Sequence, residues 1–284
     1  MAVKRFVGID GDLSEPTNYD PVGLPAAADD LIFPAGGSPV TANLSALAAI
    51  DLADVFVEPG MSALGGILEY VGLNCDRLFF NGSAASYIDF AASAPAEIKI
   101  KNTASAGTGT FGLYLAASSA IAECSIENGS VSLGTSHAYD FIATALGIGG
   151  SAAVELGHDS TATTLHLHAS ATLTNYGKIS GTQYCQGGVY YIETEQAQTG
   201  TFKLSGSCHV YHNGAGTAGG TVYLYSDACV WDGTGAPGVS RSCNWCQVQR
   251  GQFIWGEDYT VSNFSVSSLG VGPQRMTGSI VGDS

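Results

Sequence analysis

A plain pattern recurs along the chain: two large apolar residues two apart, then five small or polar residues, then a third apolar residue followed by Asn, His or Asp with Gly nearby. In "LHLHASATLTN" the anchors are Leu165, Leu167 and Leu173; in "TFKLSGSCHVYHN" they are Phe202, Leu204 and Val210; in "VYLYSDACVWDG" they are Val222, Leu224 and Val230. A further copy uses Leu113, Leu115 and Ile121, and a weaker one runs from Val154 and Leu156 to Ala162. Two is the strand period, which puts alternate side chains on one face. A strand this short cannot bury its apolar face alone, so it must stack on copies of itself, and stacking of that kind builds a solenoid. Helical spacing is absent beyond residue 60, where Thr, Ser, Gly, Val and Tyr dominate. Coils of roughly 18 to 25 residues, turning at Gly, Asn, Ser and Asp, predict an all-β right-handed parallel β-helix.

The pattern divides the chain into a 1–60 arm and cap, a 61–240 β-helix body and a strand-rich 241–284 segment expected to serve oligomerisation or docking. A cap is required because an open end is an adhesive sheet edge. "GDLSEPTNYDPVGLPAAADDLIF" reads as an irregular lead into a first strand near Leu31 to Phe33, Leu44, Leu47 and Ala48 suggest a short helix, and "DVFVEP" alternates as a strand.

Composition narrows the function. Only 12% of the 284 residues are charged while 45% are hydrophobic, so much of the surface must be Ser, Thr, Asn and Tyr, which suits burial against partners. The net charge of -15 and the lack of a basic stripe argue against nucleic acid. "FIATALGIGGSAAV" is too short and Gly-rich for a bilayer span. Lys4 and Arg5 lead into "FVGIDGD" rather than an apolar run, which predicts synthesis in the cytoplasm without the usual secretion route. Seven cysteines form an odd set for a disulfide framework. Register puts Cys208 inward and Cys229 outward, and buried free thiols are the favoured state. "CNWC" at 243–246 lacks the second pair of a zinc ribbon and reads as packing or a local disulfide.

Three constellations could carry chemistry. Glu193 and Glu195 in "YYIETEQ" are two apart, so on a strand both carboxylates would share a face, as paired acids do in glycoside cleavage; a solvated acidic edge is the ordinary alternative. His166 and His168 in "LHLH" likewise share a face and could chelate a metal, although an ordinary outward pair explains them as well. Asp10, Asp12, Asp29 and Asp30 could gather around a hard cation, but no ligand-loop spacing is present and capping of turn amides is favoured. "GAGTAGG" lacks the following Lys-Ser or Lys-Thr of a phosphate cradle. The reading is therefore of no cofactor, no resident metal and no catalytic site, with those pairs as weak alternatives.

The opening, "MAVKRFVGIDGDLSEPTNYDPVGLPAAADDLIF" followed by "LSALAAIDLADVFVEPGMSALGG", resembles a group of β-helical proteins encoded by tailed bacteriophages. Asn18, Tyr19, Gly23, Pro25, Asp29 and Asp30 occupy that group's pattern, with Tyr19 where the group often has Trp. The match covers about the first quarter. The resemblance implies a virion structural protein, a non-enzymatic cement or decoration protein that binds the major capsid protein on the outer shell as a homotrimer. A tail spike or fibre that binds host polysaccharide, with or without cleaving it, is the alternative; a cellular adhesin is a third.

Overall fold

The structure, a computed structural model, describes residues 2–8, 10–61, 64, 70–82, 86–90, 94–101, 110–115, 120–134, 140–235, 238–256, 258–266 and 275–277. It is a β-solenoid of about ten turns built from mostly parallel strands. No α-helix occurs among the described residues; a single 3-10 turn spans Pro16–Asn18. The chain divides into two compact units, Met1–Ala145 and Leu146–Ser284, with the division falling inside the strand Ile142–Ile148.

In the first unit, one sheet runs through Val3–Phe6, Asp30–Phe33, Leu52–Val57, Cys75–Phe80, Glu97–Lys101 and Ile121–Asn128, each pairing in parallel with the next. Register stacks like on like across the coils. Leu31, Val55, Leu78, Ile98 and Cys124 form one inward row, and Phe33, Val57, Phe80, Ile100 and Ile126 form the next, all essentially without exposure. A second sheet, through Val71–Gly72, Ser86–Phe90, Thr110–Leu115 and Ser130–Leu133, is also parallel.

The strand series begins earlier than the sequence predicts, at Val3–Phe6, which pairs with Asp30–Phe33. Its other edge is covered by the two-residue antiparallel strand Tyr19–Asp20, a short edge of the kind that discourages further pairing. Tyr19 is buried there: its ring meets Phe6 edge-on at 5.5 Å and its hydroxyl donates to the Leu13 carbonyl at 2.7 Å. The expected helix near Leu44 is instead a run of turns, closed by bonds such as Ala46 N to Asn43 O and Ala48 N to Ser45 O.

In the second unit, Thr161–Leu167, Gln183–Cys185, Phe202–Leu204, Thr217–Leu224, Arg241–Val248 and Tyr259–Val266 form one parallel sheet. Ala153–Leu156, Thr172–Asn175, Val189–Ile192, His209–His212, Val230–Gly233, Gln252–Trp255 and Arg275–Thr277 form the other. The stretch set apart in the sequence from residue 241 thus carries strands that extend both sheets; residues 267–274 and 278–284 lie outside the described ones. Coil length varies while register is kept: Leu165 meets Gln183, 18 residues on, and Val222 meets Cys246, 24 on.

The repeated template needs one correction. Leu165, Leu167 and Leu173 point inward, as do Phe202, Leu204 and Val210, but Val230 does not. The corner after Leu224 holds one residue more than those after Leu167 and Leu204, and a shift of one exchanges the faces of a strand. Cys229 is therefore buried rather than outward, its thiol donating to the Ser226 carbonyl at 2.9 Å. Trp231 takes the inward slot and pairs with Val210. The copies at Leu113 and Val154 also start on the other sheet, so the template marks both kinds of corner.

Candidate functional site

The first unit carries an apolar row where alternation calls for polar residues. Ile32, Phe56, Phe79 and Lys99 occupy the same outward position in successive coils. Phe56 and Phe79 stack with centroids 5.0 Å apart and planes 9° from parallel. Arg77 and Lys99 reach over Phe79, at 5.6 and 5.7 Å from its centroid, distances at which a cation is drawn to a ring face. Around this row lies an open groove of about 560 Å³, edged by Glu58, Asn81, Lys101 and Glu127, a volume within the ordinary range for small-molecule sites.

Most charges at this groove are already engaged. Asp54 receives Arg77 through two bonds, Nε to Oδ1 at 2.7 Å and Nη2 to Oδ2 at 2.6 Å, which holds the guanidinium above its ordinary pKa. Glu58 accepts from Ala35 N at 3.0 Å and from Arg5 at 3.4 Å. Lys99 pairs with Glu97 at 2.5 Å. Lys101 and Glu127 are 3.8 Å apart with both side chains at least 60% exposed, the loosest pair on the groove. The Asn81 carboxamide oxygen is enclosed and has no hydrogen-bond partner among the described residues.

The second unit presents a different surface. On one sheet the outward row is His166, Tyr184, Lys203, Tyr223 and Gln247; His166 stacks on Tyr184 at 4.8 Å and Lys203 lies 5.2 Å above the same ring. Nearby, Trp245 and Tyr225 are exposed by 43% and 38%. On the other sheet the outward rows are Val189, His209, Val230 and Tyr191, Tyr211, Asp232, Ile254. Tyr191 and Tyr211 stack at 5.0 Å, and His209 lies 4.0 Å from Tyr211. Partial burial raises the Tyr211 phenol and lowers the His209 imidazole.

Inside this unit are polar groups whose burial the sequence patterns did not announce. Asn175 donates to the Tyr190 hydroxyl at 2.9 Å, which donates to Gln183 Oε1 at 2.9 Å, and Gln198 links Ile179 N to Gly177 O. Further along, the Tyr259 hydroxyl accepts from Trp231 Nε1 at 3.2 Å and meets His212 Nδ1 at 3.2 Å. Burial, then the charge of Arg241, pushes His212 down to about 4. In sequence Asn175 and His212 close the repeated template with no mark of which way they face.

The sequence-predicted residues fall as follows. Glu193 and Glu195 do not share a strand face, because the strand ends at Ile192 and both lie on the corner beyond it. Glu193 accepts from Asn213 Nδ2 at 2.7 Å, while Glu195 is exposed. His166 and His168 are both exposed, the first stacked on Tyr184 and the second lying over Gly149. No group of three or more potential metal ligands occurs among the described residues.

Of the four acidic cap residues, Asp10, Asp12 and Asp29 accept bonds from nearby loops and strand ends, while Asp30 begins the strand Asp30–Phe33 and its Oδ1 has no partner among the described residues. Asp10 accepts from Asn18 Nδ2 at 2.6 Å, Asp12 from Ser14 N at 2.7 Å and from Asn43, and Asp29 from Ala2 N at 2.7 Å and Ala26 N at 3.1 Å. These bonds hold Asp12 and Asp29 below the usual carboxylate range. Cys243 and Cys246 are both buried free thiols, brought inward together by a bulge that exposes Asn244 and Trp245. "GAGTAGG" runs into the strand Thr217–Leu224 and opens no helix. No helix among the described residues is long and apolar enough to cross a membrane. No protein family, curated protein or solved structure matches the chain.

Proposed function

We propose that this protein is a structural component of a tailed-phage virion, a decoration protein held on the capsid surface as a homotrimer through the outward faces of its coils. The observation that carries the reading is the outward surface of the second unit, where Val189, His209 and Val230 form one half-buried row and Tyr191, Tyr211, Asp232 and Ile254 form another with a single carboxylate. Flat rows of aromatic and branched side chains with little charge resemble the buried centre of protein interfaces. The N-terminal likeness to phage β-helical proteins supplies the biological setting. Three linked contact sets on one shell strengthen attachment well beyond a single set.

The reading does not call for catalysis. The polysaccharide-cleaving alternative invoked Glu193 and Glu195 on one strand face; both lie on the corner after the strand ends at Ile192. Native mass spectrometry of the purified protein is expected to give a trimer, and Tyr211→Glu to shift it towards monomer. Quantitative proteomics of virions is expected to give a shell-like copy number. A monomer insensitive to Tyr211→Glu, or a handful of copies per particle, overturns the proposal.

A further inference from the structure

We infer that the groove on the first unit is a binding site for a neutral, elongated amphiphile, a molecule with an extended apolar chain and one uncharged hydrogen-bond donor such as a hydroxyl. Attachment to a shell does not require such a site, and the inference does not depend on the proposed virion role. The floor is a strip one side chain wide, in which Ile32, Phe56 and Phe79 hold the same outward position on three neighbouring strands. Adjacent strands are about 4.8 Å apart, so the strip is about 10 Å long and accepts an extended chain of about eight carbons. Polar groups border it on both sides, the Asp54–Arg77 pair on one and Glu58 and Asn81 on the other. A narrow chain stays on the apolar floor, whereas a broad ring system would cover ionic groups and strip them of water.

The charges around the strip disfavour an ionic ligand of either sign. Arg77 is held by Asp54, Lys99 by Glu97, Arg5 by Glu58 and Lys101 by Glu127. Each of these cations has its own carboxylate, so a charged head group meets repulsion and attraction together and gains nothing that offsets its lost hydration. One polar atom is left over. The Asn81 carboxamide oxygen is enclosed and has no partner among the described residues, while Asn81 N donates to Val57 O at 2.9 Å and ties the residue to the coil. Asn81 stands two positions beyond Phe79, which returns it to the same face at the edge of the strip. An enclosed acceptor without a partner is costly, and only a donor relieves it. A hydroxyl does so; an ether oxygen or a carboxylate does not.

The test is isothermal titration of the full chain with octanol, its isomer heptyl methyl ether, octanoate and octylammonium. Octanol is expected to bind most tightly and the two ions least. The ether has the same atoms but no donor, and is expected to bind about 5-fold more weakly than octanol, the worth of one hydrogen bond; Asn81→Leu is expected to remove that difference. Along a series of primary alkanols, affinity is expected to rise about 2-fold per methylene up to about eight carbons and then level off, since an open groove covers one side of the chain. Phe56→Ser and Phe79→Ser, with the fold checked by circular dichroism, are expected to weaken octanol and the ether alike. No binding of octanol, an ion bound as tightly as octanol, a preference over the ether that is absent or survives Asn81→Leu, or indifference of octanol to both serine variants overturns the inference. So does an oligomer in native mass spectrometry that Phe79→Ser dissolves, which would give the strip to a second copy of the chain.

Discussion

His212 offers a direct test of how the second unit is held together. Its imidazole is 1% exposed, with Tyr259, Trp231 and Arg241 around it, and its pKa falls from 6.5 to about 4. Burial contributes most, the Arg241 charge next, and a backbone hydrogen bond at Gly216 opposes them. In the unfolded chain the same imidazole takes a proton near pH 6.5, whereas in the fold it resists until about pH 4. The contribution of this ring to stability is therefore intact above 6.5, falls as the pH drops between those values, and is gone below the lower one. The span corresponds to about 3 kcal/mol. His212→Gln keeps an acceptor for the Tyr259 hydroxyl but carries no titrating ring. Urea unfolding, followed by Trp fluorescence at neutral pH and at pH near 4, is expected to show wild type losing about 3 kcal/mol more than the variant. His209→Gln, at a partly exposed ring, is expected to leave most of the loss in place. Equal acid losses in wild type and His212→Gln refute the assignment of this ring as buried and neutral.

Other expectations follow from the interior. Gly181, Gly200 and Gly220 stand in register, and a Cβ on Gly200 would lie 1.5 Å from the Gly181 carbonyl oxygen; Gly200→Ala is expected to cost several kcal/mol or abolish folding, read by thermal melting, while Gly36→Ala, with open space around it, costs about 1 kcal/mol through its positive φ. Trp231→Ala is expected to cost about 3–5 kcal/mol in urea and to flatten near-ultraviolet circular dichroism, since the indole packs edge-on against Phe202 at 5.0 Å. Burial pushes Cys75, Cys124 and Cys243 up to about 12, so maleimide at pH 8 is expected to label none of the seven thiols in the native protein and all seven after denaturation.

What the sequence conveyed was the period. Pairs such as Leu165 with Leu167 and Phe202 with Leu204 announce strands because alternation is a local property, and stacking follows from the inability of one short strand to bury itself. What it concealed depends on counting through corners. The additional residue between Leu224 and Trp231 exchanged the faces of Val230 and Cys229, and nothing local marks it. Asn175 and His212 stood in the sequence only as the polar close of the template, and nothing singled out Gln183; here each is enclosed and meets a polar partner from another coil or strand. The groove was hidden for a related reason: Ile32, Phe56 and Phe79 are 24 and 23 residues apart and become neighbours only once register is known.

The unequal corners carry a practical meaning for how such a chain can change. A residue added at Ser226–Ala228 leaves the strands before and after it hydrogen-bonded as they were, because the slack is taken up at the bend. The same addition within Phe202–Leu204 would turn one rung inside out and set charged Lys203 against the core. Lengthening by mutation, or grafting of a foreign peptide by design, is thus confined to the bends, and the ribbons between them stay fixed in length.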